Sequence, residues 1–260
     1  MDEGRSDVVE TGPGFQEQVC KTMQWHLEIA SIAGTEHLAR EIAAMLRPGD
    51  LVTLGGGLGV GKTTFARALI RSLCADPALE VPSPTYTLIQ TYDSPLAPLV
   101  HADLYRINDP EELDSLGWNE TSADAIVLVE WADRIGAPLP PDRLDVTLSL
   151  GSAPDTRRVV ITAHGAQAQR LAMTRAIHEV IEHGGFAGAE RLHLQGDAST
   201  RAYERLIRPS DGRSAILMIA PRRPDGPPVR NGKPYSQIAK LAEDVKPFVA
   251  PAHGLRSHGF

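Results

Sequence analysis

The sequence predicts an α/β fold with a mixed central sheet flanked by helices, followed by a small α+β lobe, and three observations predict it. Short apolar runs of strand length alternate with segments of helical spacing from Trp25 to His164. One junction, "LVTLGGGLGVGKTTFARALI" (51–70), reads strand, glycine loop, helix, the order in which a backbone can wrap phosphate at a helix start. Past residue 188 the strands shorten and a Pro-rich connector, "RRPDGPPVRNGKP", appears, which marks a separate, smaller unit.

Each element follows from local pattern. Residues 1–22 show neither helical nor strand period and carry Gly12, Pro13 and Gly14, so a disordered leader is expected there. "WHLEIAS" (25–31) alternates as a half-buried strand does, and Thr35 stands at an N-cap position before "EHLAREIAAML", whose Leu38, Ile42 and Leu46 share one helical face. Pro48 and Gly49 end that helix. "DLVTL" (50–54) is a short apolar strand; after the glycine loop, Phe65, Leu69 and Leu73 mark a helix packed along one stripe. "TYTLIQTY" (85–92) and "APLVHADLY" (97–105) read as an antiparallel strand pair joined around Asp93 and Ser94. "DPEELDSLGW" (109–118) is a short helix with Asp109 at the cap, Pro110 in the first turn, and Glu111 and Glu112 near the positive end of its dipole. "AIVLVEW" (125–131) is the continuous apolar run of a central buried strand, and "RLDVTLSL" (143–150) with "RRVVITAH" (157–164) forms a closing hairpin.

Composition narrows the function classes. With 42% hydrophobic and 23% charged residues in 260, the chain has an ordinary globular make-up. A formal net charge of -7 argues against gripping a nucleic-acid backbone unaided, because phosphate contacts need a basic face. Any nucleic acid would have to be met through a partner. Cys20 and Cys74 lie far apart and outside any C-x-x-C spacing, which argues against a disulfide framework or a zinc site and fits a reducing compartment. The acidic start "MDEGRSDVVETGPG" lacks the basic and apolar regions of a signal peptide, and no run reaches the ~20 apolar residues of a membrane span. A cytoplasmic location without membrane contact is expected.

The chemistry concentrates in a few motifs. Gly56, Gly61, Lys62 and Thr63 fit G-x-x-x-x-G-K-[ST], so Gly56, Gly57, Leu58, Gly59, Val60, Gly61, Lys62, Thr63 and Thr64 form a candidate phosphate cradle. Lys62 adds a mobile positive charge and the Thr63 hydroxyl a ligand for Mg²⁺. This predicts a P-loop NTPase. Asp103 and Glu130 close apolar strands, at the carboxyl ends where α/β sheets carry functional groups. One would hold Mg²⁺ directly or through water, and the other would orient the attacking water or share the metal. In "VPSPTYTL" (81–88), Pro82 and Pro84 stiffen the loop that presents Ser83 and Thr85. His101, without a second histidine nearby in sequence, reads as a packed group or a support for a ligand rather than a ligand itself. Trp131 reads as packing, with a role in shielding the site. The absence of N-K-x-D favours ATP over GTP.

Taken together, "GGLGVGKTTF", "SPTYTL", "HADLYR", "EEL..LG" and "VEW" resemble, in order and spacing, the TsaE (YjeE) family of P-loop ATPases from the bacterial tRNA threonylcarbamoyladenosine modification system, over about residues 24–164. The resemblance implies an ATPase that binds ATP and Mg²⁺ and works with a TsaB and TsaD heterodimer, its hydrolysis stimulated by those partners. It places the phosphates on residues 56–64, Mg²⁺ on Thr63 and Glu130, and Asp103 in the Walker-B-like position. Thr85 would sense the γ-phosphate, and Thr35, opening the first helix, would lie by the adenine. The family usually carries Asp where Gly57 stands and often Ala where Val60 stands.

The tail, "LQGDASTRAYERLIR...SAILMIAP" through "FVAPAHGLRSHGF", resembles the opening of aminoglycoside-phosphotransferase-like kinases, truncated before any catalytic lobe. The expected layout is a leader (1–22), an ATPase domain (23–165), a linker helix (166–187) and a partial kinase-like lobe (188–260). The rival reading is a P-loop kinase acting on a small molecule. That reading needs an acceptor pocket and an Arg-rich lid, whereas "DRIGAPLPPDR" (133–143) offers two arginines and four prolines.

Overall fold

The structure is a computed structural model that describes residues 22–107, 109, 112, 122, 124–135, 139–195, 201–220, 228–230 and 233–234. Of the leader expected over 1–22, residues 1–21 lie outside the described residues and Thr22 opens the first strand; most of the helix at 109–118 and the helical stretch after residue 234 also lie outside them. The chain divides into two compact units, the first running to His178 and the second starting at Glu179.

The first unit is built on a seven-stranded mixed sheet: β1 (Thr22–Ile29), β2 (Leu51–Gly55), β3 (Ile89–Tyr92), β4 (Leu99–Asp103), β5 (Ile126–Glu130), β6 (Leu144–Leu150) and β7 (Arg157–His164). Their spatial order is β1-β7-β6-β2-β5-β4-β3. The central run β6, β2, β5 and β4 is parallel, while β1, β7 and β3 pair antiparallel at the flanks. The apolar strands expected in the middle of the sequence are the central ones, since every residue of β4 and β5 is buried. The closing hairpin β6–β7 forms in the expected place.

Two core clusters separate by the two-residue period of the strands. Leu99 of β4 and Ile126 and Leu128 of β5 join the larger cluster with Phe65, Leu69 and Ile70 of α2 (Lys62–Leu73), whereas Val100, Ala102, Val127 and Val129 join a smaller one. Phe65, Leu69 and Ile70 are fully buried, each contributing about 1.5–3 kcal/mol of transfer free energy. His101 and Asp103 fall in the alternation of Leu99, and Glu130 in that of Leu128. The same alternation therefore places all three polar groups on the α2 side of the sheet.

Three boundaries differ from the sequence reading. The first helix, α1 (Ile32–Ala43), is capped by Ser31, whose hydroxyl accepts from Gly34 N at 3.1 Å; Thr35 lies inside the helix and donates back to Ser31 O at 3.3 Å. Ser31, directly after β1, is the earlier of two capping-type residues, and its extended backbone leaves the first turn free to form. The helix also stops at Ala43, so Leu46 packs in the core from a turn. The strand expected from residue 85 starts at Ile89, because residues 84–87 form a turn closed by Leu88 N donating to Pro84 O at 2.7 Å, with Leu88 at φ 64°. Pro84 has no N–H to give a ladder, which makes it a turn residue.

A further helix, α3 (Gln167–His183), follows β7. Its first half is part of the first unit: Leu171 is fully buried there, and Arg170 grips Asp50 with two contacts of 2.6 and 2.7 Å while also donating to Met45 O at 2.8 Å. The second unit contains an antiparallel meander of β8 (Glu190–Leu194), β9 (Ala202–Ile207) and β10 (Ser214–Ile219), and a small ladder of β11 (Pro228–Arg230) with β12 (Lys233–Pro234). Strands around a loop are what the sequence predicts for that stretch.

Candidate nucleotide site

The glycine loop connects the end of β2 to the start of α2. Gly56, Gly59 and Gly61 all have positive φ, at 123°, 73° and 108°. At Gly56 a side chain is doubly excluded, since a Cβ there would lie 2.2 Å from Leu148 O. Gly61 caps α2 without any side-chain hydrogen bond, and no acidic residue stands in the first turn. The orphan amides at that helix start are thus left to an anion, with the helix dipole adding to the attraction.

Lys62 is 5% exposed, and its ammonium donates to Gly56 O at 3.0 Å and Gly57 O at 2.8 Å. An ammonium has three protons, so one remains beyond the two that these carbonyls take. The charge also lies 4.0 Å from the centre of the Trp131 ring, which in turn stacks at a tilt on Tyr105 at 5.1 Å. Burial pushes the Lys62 pKa down from its ordinary value, against the opposing charges of Glu130, Asp103 and Asp133. Trp131, read from sequence as packing and shielding, sits beside the lysine with its backbone at φ 61°.

Thr63, next in line, donates a bifurcated hydrogen bond to the Glu130 carboxylate, with oxygens at 3.0 and 3.1 Å. Glu130 is 2% exposed and also meets His101 Nε2 at 3.0 Å. A carboxylate only accepts, so Nε2 is the donor in this contact, while the buried Nδ1 has no hydrogen-bond partner among the described residues. His101 thus steadies Glu130, in line with the sequence reading of it as a support.

Asp103 is paired in register with Glu130 across β4 and β5, which brings the two carboxylates to the same end of neighbouring strands. Its Oδ2 accepts from the Thr85 hydroxyl at 2.8 Å, and its Oδ1 from Tyr105 N at 3.0 Å. Because the single Thr85 proton goes to Asp103, the 2.8 Å contact between Ser83 and Thr85 has Ser83 as donor. The stiff Pro loop therefore delivers the Thr85 hydroxyl to the Asp103 carboxylate, with Ser83 supporting Thr85 from behind. These residues line a cleft of about 330 Å³ that includes Leu58, Gly59, Gly61, Lys62, Thr63 and Thr64 on one side and Ser83, Thr85, Asp103 and Glu130 on the other. Thr35 does not line it; buried in α1, it turns its hydroxyl back to Ser31 O.

Thr63, Glu130 and Asp103 together offer only oxygen donors, the set preferred by a hard cation such as Mg²⁺. Two contributions were not read from sequence. The Tyr105 amide carries no side-chain signal, and Arg157 on β7, which donates to Val60 O at 2.9 Å and so braces the loop, becomes visible only once β7 is placed near it.

A sheet whose strand β2 runs through a bare-amide glycine loop into α2, with carboxylates at the ends of the neighbouring strands, defines the class of the P-loop NTPases. Within that class the relationship is specific. The chain belongs to the TsaE family, described as threonylcarbamoyl adenosine biosynthesis protein TsaE, whose family model matches residues 29–159. Relatives named tRNA threonylcarbamoyladenosine biosynthesis protein TsaE include one from Rickettsia bellii, 40% identical over 116 residues covering 45% of this chain and 80% of the relative. Another, from Bacillus subtilis, is 36% identical over 148 residues, 56% of this chain and 90% of the relative. The crystal structure of Bacillus subtilis YdiB is similar over 63% of this chain and 99% of its own, at 29% identity and a TM-score of 0.48. The family match ends before α3 and the second unit, and the expected kinase-like character of that unit finds no counterpart in it.

Proposed function

We propose that this chain is the ATPase subunit of a tRNA N6-threonylcarbamoyladenosine modification assembly, binding and hydrolysing ATP with Mg²⁺ in complex with TsaB and TsaD. The observation that carries the reading is the Thr63–Glu130 hydrogen bond, with Asp103 in register beside it. It unites the loop that would hold phosphate with the groups that would hold metal and water.

In this reading the amides of residues 56–64 hold the triphosphate, and the third Lys62 proton reaches its outer oxygens. Thr63 and Glu130 would hold Mg²⁺, with Asp103 in the Walker-B-like place; when bound, the ion offsets phosphate charge as the terminal bond breaks. Glu130, held by His101, keeps its oxygens aimed at Thr63 rather than at solvent. Thr85 is poised to exchange its bond to Asp103 for one to the γ-phosphate, which makes it a sensor of the triphosphate state. Thr35 is assigned to the base side, outside the phosphate cleft.

Lys62 is the only cation among the described residues that line the cleft. Charge developing on the transferred phosphoryl group therefore leaves room for a second cation from a partner, which supports a turnover that partners raise. The acidic balance of the chain supports leaving tRNA contact to those partners. No helix among the described residues is long and apolar enough to cross a membrane, which accords with the proposed cytoplasmic setting. The unit after α3 is proposed as a partial phosphotransferase-like lobe without catalysis of its own.

The test is phosphate release from ATP by the full chain, alone and with TsaB and TsaD. Release that rises with the partners supports the reading. Accumulation of a phosphorylated metabolite, with no partner effect, would replace it with a small-molecule kinase.

A further inference from the structure

Away from the nucleotide cleft, two imidazoles converge on one buried carboxylate. Glu41 on α1 is 4% exposed. His178 on α3 approaches it through Nδ1, at 3.1 and 2.9 Å from its two oxygens, and His37, one helical turn before Glu41, places Nε2 at 3.6 Å. One ligand atom from each of the three residues falls within 4.8 Å of the others. We propose that His37, Glu41 and His178 form a Zn²⁺ site that joins α3 to α1.

The donor chemistry supports zinc, because two neutral imidazoles and one carboxylate are a known ligand set for this ion, with a fourth position left to water. Spacing supports it as well: bonds of about 2.0–2.1 Å at tetrahedral angles put donors roughly 3.3 Å apart. Two of the three separations, 2.9–3.1 and 3.6 Å, bracket that value before any adjustment. Two imidazoles from different helices thus face one carboxylate. The His178 ring is held from its far side by buried Trp25, edge to face at 5.0 Å. The two histidine side chains are 20% and 19% exposed, which leaves an entry path from solvent.

The two cysteines play no part in this site, so the argument against zinc from their spacing does not touch it. The site is also particular to this chain's architecture, since His37 and Glu41 lie within the span matched by the family and His178 lies beyond it. Zinc would fasten an appended helix to the family domain at a point separate from the Asp50–Arg170 contact.

The experiment uses the full chain, stripped with a chelator and free of nucleotide and Mg²⁺, titrated with zinc chloride by calorimetry and followed by thermal melting. The expected result is one Zn²⁺ per chain and a raised melting temperature. His37→Ala and His178→Ala should each weaken that binding beyond the about 10–100-fold that loss of an outer supporting group costs, and should abolish the thermal shift. Saturable uptake that is unchanged in both variants would place the metal elsewhere and overturn the proposal, as would no uptake at all. His37→Ala, at a partly exposed helix position, keeps the test decisive if His178→Ala fails to fold.

Discussion

Lys62 and Glu130 touch different things, and their removal should fail in different ways. On the proposed function Lys62 supplies charge to a bound triphosphate, so Lys62→Ala should raise the Kd for ATP by roughly 10–150-fold, the equivalent of about 1.5–3 kcal/mol for a hydrogen bond to a charged group. Glu130 is held by Thr63 and His101; in its proposed role on metal and water, Glu130→Ala should lower kcat by about 100-fold or more with little change in affinity. Fluorescent-nucleotide binding and single-turnover hydrolysis separate the two. An equal loss of affinity in both variants would contradict the division of roles. At this scale the sequence was most informative where chemistry is local: the loop glycines, Lys62 and Thr63 occupy neighbouring positions and need no tertiary knowledge. His101 was half legible, because its alternation with Leu99 and Asp103 fixes its face. That its partner is Glu130 depends on β4 lying beside β5, which no local pattern encodes.

The loop and the helices that frame it set the next level. Gly56 combines a φ of 123° with a backbone oxygen, Leu148 O, 2.2 Å from where a Cβ would be. Both costs would be incurred by Gly56→Ala, which should destabilise the protein by about 2–4 kcal/mol and abolish nucleotide binding, as read by urea unfolding and a binding titration. On the other side of the domain, Arg170 and Asp50 make a two-pronged, largely buried pair, with side-chain exposures of 16% and 11%. Removing the guanidinium in Arg170→Ala leaves the Asp50 carboxylate with only the Arg47 amide and the Gln167 side chain as donors and no opposing charge, and should cost on the order of 2–4 kcal/mol in the same assay. The elements themselves were legible where period and turn chemistry agree, as in β5 and the β6–β7 hairpin. They were misjudged where two signals compete. "SPTYTL" has strand-forming residues after a proline, and the turn prevailed because Thr85 is drawn to Asp103. Ser31 and Thr35 both suit a cap, and the end of β1 decided between them.

For the molecule as a whole, every residue lining the nucleotide cleft belongs to the first unit. A chain shortened to end at His183, which keeps α3 intact, should bind and hydrolyse ATP on its own as the full chain does. Lower affinity in the shortened chain would show that the later segment reaches the site. The change of texture along the sequence falls near residue 188, while the division into compact units falls between His178 and Glu179, inside a helix that reads continuously from Gln167 to His183. The sheet order carries one more consequence. Among the described strands β1 comes first along the chain and lies at an edge of the sheet, where it pairs with β7, Thr22 opposite His164. During synthesis at about 5–20 residues per second, a ribosome must therefore deliver most of the domain before its opening segment can find a neighbour. Until then the nascent edge stands unpaired, a task for chaperones rather than for the sheet.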